Sequence, residues 1–166
     1  MGVVERVVRG HGGMTAHSIR PATPTDLAAI EAIVAQAYSP YIARIGRKPG
    51  PMLDDYAALI AAGCVHVCQR GEAVAGLVVL VAQADSMLLD NVAVASSAQG
   101  AGVGRALLDF AEAATRQAGF VTIRLYTHET MVENVAIYGR RGYRETHRGE
   151  EHGFRRVYMA KSLGGA

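Results

Sequence analysis

Residues 92–107 read VAVASSAQGAGVGRAL, in which an apolar, strand-like run leads through a polar turn into glycines at every second position. These glycines, Gly100, Gly102 and Gly104, come directly before a helical pattern. Backbone without side chains lets another molecule approach closely, and the free amides of a helix N-terminus favour an anion. The stretch therefore predicts an anion-binding turn. A turn that only permits tight packing of strand against helix is the alternative interpretation.

The glycine spacing separates this turn from two other phosphate-binding loops. A dinucleotide fingerprint needs G-x-G-x-x-G after the first strand of a βαβ unit, whereas here the spacing is G-x-G-x-G after the last strand of a predicted meander. A Walker loop needs four residues between its glycines and then Lys followed by Ser or Thr, and neither is present. A short loop that docks an anion on the next helix remains, with Arg105 adding positive charge in the first turn.

The patterns on either side of the turn predict one α+β domain over residues 17–163, after a flexible tail at residues 1–16. Thr130 and Glu133 have the spacing of a capping box, which predicts the start of the last helix. The predicted strands are 18–23, 64–69, 73–83, 87–95, 120–129, 143–148 and 154–163, and the predicted helices are 23–38, 52–63, 102–119 and 130–140. This order, β-α-α-β-β-β-α-β-α-β-β, indicates helices packed around a central sheet.

Composition excludes several other classes of protein. The formal net charge of +2 is too small to indicate nucleic-acid binding, and no apolar run approaches the roughly 18 residues of a membrane span. The first residues carry charges where an export signal would be apolar, so we expect a cytoplasmic protein. Cys64 and Cys68 would lie about 13 Å apart on one strand, too far for a shared metal ion or a disulfide. We therefore predict no metal site and two reduced thiols.

Two stretches of the sequence together resemble the GNAT superfamily of N-acetyltransferases. Gln99-Gly100-Ala101-Gly102-Val103-Gly104, following Val92-Ala93-Val94, is similar to the family's acetyl-CoA-binding motif. MVENVAIYGRRGY, residues 131–143, is similar to its second signature, with Asn134 and Tyr138 one helical turn apart. The resemblance covers roughly residues 17–163. It implies a GNAT fold: a mixed, mostly antiparallel twisted sheet of about seven strands, flanked by about four helices.

The resemblance also implies how acetyl-CoA would be held as co-substrate. Val92, Ala93 and Val94 would bind the pantetheine arm as an added strand, in a gap where the next strand splays away, and a backbone amide there would polarise the thioester carbonyl. The amides from Gly100 to Arg105, after Gln99, would hold the pyrophosphate. The implied cofactor-binding residues are Val92, Ala93, Val94, Gln99, Gly100, Ala101, Gly102, Val103, Gly104, Arg105, Asn134 and Tyr138.

The same resemblance implies an acetyl transfer to a primary amine in a ternary complex. Tyr138 resembles the family's general acid, which protonates the departing sulfur. Asp90 and Glu129 are the candidate general bases at the predicted gap, and His128 is a further candidate. A non-catalytic module that senses acyl-CoA, or an acyltransferase that uses another short acyl-CoA, would carry the same motifs.

The acceptor itself is not named by the sequence. The loop after the first helix offers aromatic and cationic groups that could hold an anionic part of a substrate, or could simply be solvated. These groups are Tyr38, Tyr41, Arg44, Arg47 and Lys48. Exposed sheet edges would also allow a homodimer. No nucleic acid or membrane partner is predicted.

Overall fold

The computed structural model describes residues 6–8 and 17–164, which form one sheet with helices on both faces. The strands are β1 Arg6–Val8, β2 His17–Pro21, β3 Val65–Arg70, β4 Ala73–Ala82, β5 Met87–Val94, β6 Thr122–His128, β7 Arg144–Glu151 and β8 Phe154–Ser162. The α-helices are α1 Leu27–Tyr38, α2 Ile42–Ile45, α3 Tyr56–Ala61, α4 Val103–Gln117 and α5 Val132–Arg140. The order of elements agrees with the prediction, apart from the additional β1 and the single turn α2.

The strands lie in the order β1-β2-β3-β4-β5-β6-β8-β7. Every neighbouring pair is antiparallel except β5 and β6, which are parallel and joined through α4. The mixed, mostly antiparallel sheet predicted from the sequence is thereby confirmed. β1 pairs with β2 and falls inside the segment predicted as a tail. The rest of that segment, residues 1–5 and 9–16, lies outside the described residues.

Two apolar cores sandwich the sheet, and β4 contributes to both. Leu77 and Val79 belong to the core beneath α1 and α3, whereas Val78 and Leu80 belong to the core beneath α4. A strand covered on both faces reads as a continuous apolar run, which explains the sequence AVAGLVVLVA.

One buried carboxylate connects α4 to the elements around α5. Glu112 on α4 accepts hydrogen bonds at 2.6 Å from both Arg141, just after α5, and Lys161 on β8. Arg141 also pairs with the exposed Asp109 at 2.8 Å. Because a buried carboxylate is costly unless it is paired, this arrangement restricts α5 to one position on the sheet.

The start of α5 differs from the predicted capping box. The helix begins at Val132 with Met131 as its N-cap, and no side chain caps it. The Thr130 hydroxyl lies 2.9 Å from Nδ1 of His128 and is therefore engaged outside the helix. The prediction that Thr130 and Glu133 cap one another is wrong because His128, at the end of β6, takes the Thr130 hydroxyl.

A glycine on β4 sets how closely α4 approaches the sheet. A Cβ atom at Gly76 would lie 2.8 Å from the carbonyl oxygen of Ala93 and 3.0 Å from side-chain atoms of both Val103 and Leu107. The first turns of α4 therefore rest directly on the backbone of β4. No other residue type fits without displacing the helix.

We expect Gly76→Ala to lower the free energy of unfolding by about 1–3 kcal/mol, because it overpacks this contact. The matched control is Gly139→Ala on α5, where a Cβ atom meets nothing within 4 Å. That change should raise the free energy of unfolding by about 0.5–1 kcal/mol through helix propensity. Urea denaturation of both variants measures the difference. Equal stability of Gly76→Ala and the wild type would contradict the close approach.

Candidate active site

The candidate site begins where β5 and β6 stop pairing. The two parallel strands pair only over Met87–Leu89 and Ile123–Leu125, although they continue to Val94 and His128. Opposite β4, the register of β5 jumps from Leu89 to Asn91. Asp90 is thus the extra residue of a β-bulge, a distortion that bends a strand and ends regular pairing. The result is a gap between the two strands, as the family resemblance implied.

A buried side-chain amide holds the bulge in place. Asn91 accepts a hydrogen bond at Oδ1 from the hydroxyl of Tyr38 on α1, at 2.5 Å. Its Nδ2 donates to the hydroxyl oxygen of Tyr56 on α3, at 2.9 Å, and Tyr56 in turn donates to the carbonyl of Pro51. The bulge is therefore fastened to both helices on that face of the sheet.

A groove runs along β5 to the N-terminus of α4; we call it the glycine groove. Its lining residues are Val92, Val94, Ala98, Gln99, Gly100, Gly102, Val103, Gly104, Leu108, Asn134, Ile137 and Tyr138. Gly100 and Gly102 both have φ +81°, a left-handed conformation that favours glycine. Gly102 is the N-cap of α4 and has no side chain to accept hydrogen bonds, so the first amides of the helix remain available to an anion.

Three implied cofactor-binding residues do not line the glycine groove. The side chain of Ala93 belongs to the core beneath α1, and only its backbone is on the strand edge. Ala101 and Arg105 are also absent from the lining, and Arg105 is exposed on the first turn of α4. The side chain of Ala93 is therefore not available to a ligand, whereas its backbone is. Arg105 could reach only a part of the ligand outside the groove.

A second cavity, which we call the wedge pocket, lies in the gap between β5 and β6. It is lined by Tyr38, Ile45, Pro49, Gly50, Pro51, Leu89, Asp90, Asn91, Val92, Leu125, Tyr126, Thr127, His128, Met131, Asn134, Tyr138, Phe154 and Arg156. Val92, Asn134 and Tyr138 line both the wedge pocket and the glycine groove. The two cavities therefore meet at the tyrosine predicted to be an acid.

Tyr138 has the protonation state that an acid needs. Burial raises the pKa of Tyr138 to about 12, so the phenol keeps its proton throughout the neutral range. Its ring packs edge-on against Tyr143, with centroids 5.6 Å apart. Asn134 lies one turn earlier on the same face of α5. The spacing of these two residues in the sequence thus brings both to the junction of the cavities.

The two candidate bases lie in different surroundings. Asp90 lines the wedge pocket and accepts a hydrogen bond at 3.0 Å from the hydroxyl of Tyr126, whose pKa is raised by burial and by the Asp90 carboxylate. Glu129 lines neither cavity and pairs with Arg155 at 3.5 Å. His128 lines the wedge pocket, and burial lowers its pKa.

Two residues in or beside the wedge pocket were not among the predicted site residues. Arg156 stacks over the ring of Tyr126, 4.0 Å from its centroid, and pairs with Glu151 at 2.8 Å. Asp54, from the loop before α3, lies against Asp90. Asp54 carries no local sequence signal, because it reaches the site only through the tertiary fold. The alternation of side chains along β8 could have predicted that Arg156 lies at the site, whereas no sequence pattern predicts this for Asp54.

Two cations of the loop after α1 make contacts within the protein. Arg44 donates to both carboxylate oxygens of Glu133 on α5, at 2.8 and 3.0 Å. Arg47 stacks on Phe154, 3.6 Å from the ring centroid, and donates to the carbonyl oxygen of His152. Both arginines therefore fasten the loop to other parts of the protein, and this loop forms one wall of the wedge pocket.

Comparison with known protein families agrees with the geometry. A family model described as an acetyltransferase (GNAT) domain matches residues 61–145, just over half of the chain, including the glycine turn and α5. The chain belongs to the GNAT acetyltransferase family. Members of this family use acyl-CoA, so an acyl-CoA site is expected in this GNAT protein. No curated protein sequence matches the chain.

Solved structures share the fold over nearly the whole chain. A GCN5-related N-acetyltransferase from Rhodopseudomonas palustris is 22% identical with a TM-score of 0.75, over 93% of this chain and 100% of that one. The ribosomal-protein-S18-alanine N-acetyltransferase from Escherichia coli is 20% identical with a TM-score of 0.72, and the match covers 90% of this chain and 96% of that one. The PaiA N-acetyltransferase from Thermoplasma acidophilum, in complex with coenzyme A, is 16% identical with a TM-score of 0.73, and the match covers 88% of this chain and 98% of that one.

The described residues contain neither a candidate membrane-spanning helix nor a group of metal ligands. None of the helices in the described ranges has the length and apolar character that a bilayer span requires. Within the same ranges, no three His, Cys, Asp or Glu residues are grouped so that they could hold a metal ion. Cys64 is partly exposed and Cys68 is buried, and neither forms a disulfide.

An acidic side chain at Gly104 tests whether the glycine groove binds CoA. A Cβ atom there would make only ordinary contact with Val94, at 3.5 Å, so Gly104→Glu should fold and place its carboxylate in the groove. We expect calorimetry to detect no CoA binding, because the carboxylate would repel the pyrophosphate. Gly104→Ala is the control and should keep most of the affinity. Equal CoA affinity of the two variants would exclude this groove.

Proposed function

We propose that this protein is an N-acetyltransferase that moves an acetyl group from acetyl-CoA to a primary amine by direct transfer in a ternary complex. The observation that carries the proposal is that the glycine groove and the wedge pocket share Val92, Asn134 and Tyr138. A donor lying in the groove and an acceptor entering through the pocket would meet there, beside a protonated phenol.

The strand β5 supports binding of an extended donor. Beyond Leu89 its edge no longer pairs with β6, so the backbone groups of Val92–Val94 can accept an added strand, which is how the pantetheine arm would bind. The amides between Gly100 and Arg105 would hold the pyrophosphate at the start of α4. Asn134 would contact the same arm from α5. Acetyl-CoA, when bound, supplies the thioester whose carbon–sulfur bond breaks in the reaction.

The residues around the gap account for each proton that moves. A backbone amide of the Val92–Val94 segment would polarise the thioester carbonyl as negative charge develops on its oxygen. Asp90 would take the proton that the attacking amine loses as the carbon–nitrogen bond forms. Tyr138 would donate its proton to the departing sulfur. Asp90 is favoured over Glu129 because Asp90 lines the pocket and Glu129 does not.

The first test of this mechanism is Tyr138→Phe. We expect kcat to fall roughly 100-fold, the low end for a positioned acid, while the affinity for CoA changes little. In the wild type, kcat should not decline between pH 8 and 10, because the pKa of Tyr138 is about 12. Thiol release measured against pH gives both results. An unchanged kcat in the variant would remove Tyr138 from the mechanism.

The second test compares the two candidate bases. Asp90→Asn should lower kcat at pH 7 roughly 100-fold, because the amide cannot accept a proton. Glu129→Gln makes the same chemical change on a residue outside the wedge pocket and should alter kcat less than about 5-fold, the ratio that corresponds to an exposed ion pair of at most about 1 kcal/mol. A larger loss in Glu129→Gln than in Asp90→Asn would reverse the assignment.

The activity itself is tested by calorimetry and thiol release together. Acetyl-CoA, free CoA and other short acyl-CoAs would be titrated first, and a panel of primary amines would then be added while free thiol is followed. Tight binding with thiol release and a mass gain of one acetyl group on an amine supports the proposal. Tight binding without transfer to any amine would favour a non-catalytic acyl-CoA sensor instead.

A further inference from the structure

A second carboxyl group lies against the Asp90 base, and it comes from a distant part of the chain. Asp54 follows the 3-10 turn Gly50–Leu53 and precedes α3. The residue is exposed overall, and its carboxyl group interacts with that of Asp90. Two neighbouring carboxyl groups, one of which lines the wedge pocket, require a physical explanation, since their charges repel.

The loop that carries Asp54 is fixed to the bulge that carries Asp90. Tyr56, two residues after Asp54, receives a hydrogen bond from Asn91, the residue next to Asp90. Tyr56 also donates to the carbonyl of Pro51, which closes the loop around Asp54. Asp55 caps α3 by accepting a hydrogen bond from the amide of Ala58 at 3.1 Å. The contact between the two carboxyl groups is therefore built into the fold.

We propose that Asp54 and Asp90 act as one carboxyl pair that binds the ammonium form of the acceptor and takes its proton, with Asp90 lining the wedge pocket and Asp54 against it on the outer side. This inference rests on the proposed acetyl transfer. A nitrogen–hydrogen bond of the ammonium breaks and its proton passes to a carboxylate oxygen of the pair. The electron pair left on nitrogen forms the new bond to the acyl carbon, and the carbon–sulfur bond breaks as Tyr138 protonates the sulfur. The first proton leaves through the exposed side of Asp54, and Asp90 takes the second proton that the nitrogen loses.

The groups around the pair leave it with negative charge. Tyr38, Tyr56 and Tyr126 face it as neutral phenols, since burial raises the pKa of each. Arg156 is the cation that acts on Asp54, and it is already paired with Glu151. On the outer side of Asp54, the neighbouring charged groups are Glu31, Lys48 and Asp55. An ammonium group entering the wedge pocket therefore meets a site whose charge is complementary to its own.

The pair also has the proton affinity that a base for an amine needs. Partial burial and the neighbouring Asp90 carboxylate raise the pKa of Asp54 to about 7, while Arg156 opposes the rise. This shift gives Asp54, beside Asp90, a higher proton affinity than a free aspartate has. A base that titrates near neutral pH combines a deprotonated population with useful basicity. A single solvated aspartate would be a much weaker proton acceptor.

The test compares Asp54→Asn with Asp55→Asn, the same chemical change one residue apart. In the wild type, we expect kcat at saturating amine to rise with pH through a midpoint near 7. In Asp54→Asn this midpoint should move at least one pH unit lower, and KM for the amine should rise roughly 10-fold, as expected for losing a hydrogen bond to a charged group. Asp54→Glu keeps a carboxylate and should retain the midpoint near 7. Asp55→Asn should match the wild type, since asparagine also caps helices.

Thermal unfolding detects the pair without relying on activity. Because the pKa of Asp54 is raised in the folded protein, the folded state holds a proton that the unfolded chain has lost, between about pH 4 and 7. The contribution of Asp54 to stability is therefore greatest below pH 4 and is lost as pH rises through 7. We expect Asp54→Asn to raise Tm relative to the wild type more at pH 8 than at pH 4, and Asp55→Asn to show no such difference.

Three results would overturn the proposal, and they differ from one another. A wild type that binds CoA but transfers acetyl to no amine contradicts the proposed function and this role together. Transfer with the same pH midpoint and the same KM in Asp54→Asn contradicts the role of Asp54 alone. A pH-independent Tm difference contradicts the carboxyl pair itself.

Discussion

The extra residue at Asp90 is the constraint on which the site depends. It ends the pairing of β5 with β6 after Leu89, which frees one backbone edge of β5 and opens the wedge pocket beside it. It also turns the side chain of Asn91 toward α1 and α3, where two tyrosines satisfy the buried amide. A bulge costs regular hydrogen bonds, and this network offsets the loss by linking the distorted strand to both helices. The wedge pocket, the bulge and helices α1 and α3 therefore depend on the same set of contacts.

Helices α4 and α5, which border the glycine groove, are positioned by different kinds of contact. On the donor side, Gly76 lets α4 rest on the sheet, which sets the height of the helix N-terminus above β4. On the other side, Glu112 receives Arg141 and Lys161 and thereby fixes the end of α5, the helix that carries Tyr138. Steric contact tolerates little change in distance, whereas a buried charge cluster specifies which partners meet. Together these contacts place the N-terminus of α4, with its free amides, and the phenol of Tyr138 beside the same strand, β5.

The sequence was sufficient for the parts of the site that depend on local spacing. Alternate glycines before a helix predicted the turn at Gly100–Gly104, and the four-residue interval predicted that Asn134 and Tyr138 share a face. Asp90 and Glu129 were equivalent at that stage, because each is a carboxylate near a strand end. Only the bulge, which no residue pattern indicates, directs Asp90 into the pocket. Asp54 could not be predicted, because its place depends on how a proline-rich loop folds over β5.

The loop after α1 is fastened at its two ends by contacts that respond differently to salt. Arg44 and Glu133 form an ion pair with both side chains about half exposed, and such pairs weaken as ions screen them. Arg47 lies on the face of Phe154 and bonds a carbonyl, so dispersion and ring contact supply much of its attachment. Rising ionic strength therefore loosens the end at α5 before the end at the β7–β8 turn. The wall of the wedge pocket that this loop forms is therefore held less firmly at its α5 end when the salt concentration is high.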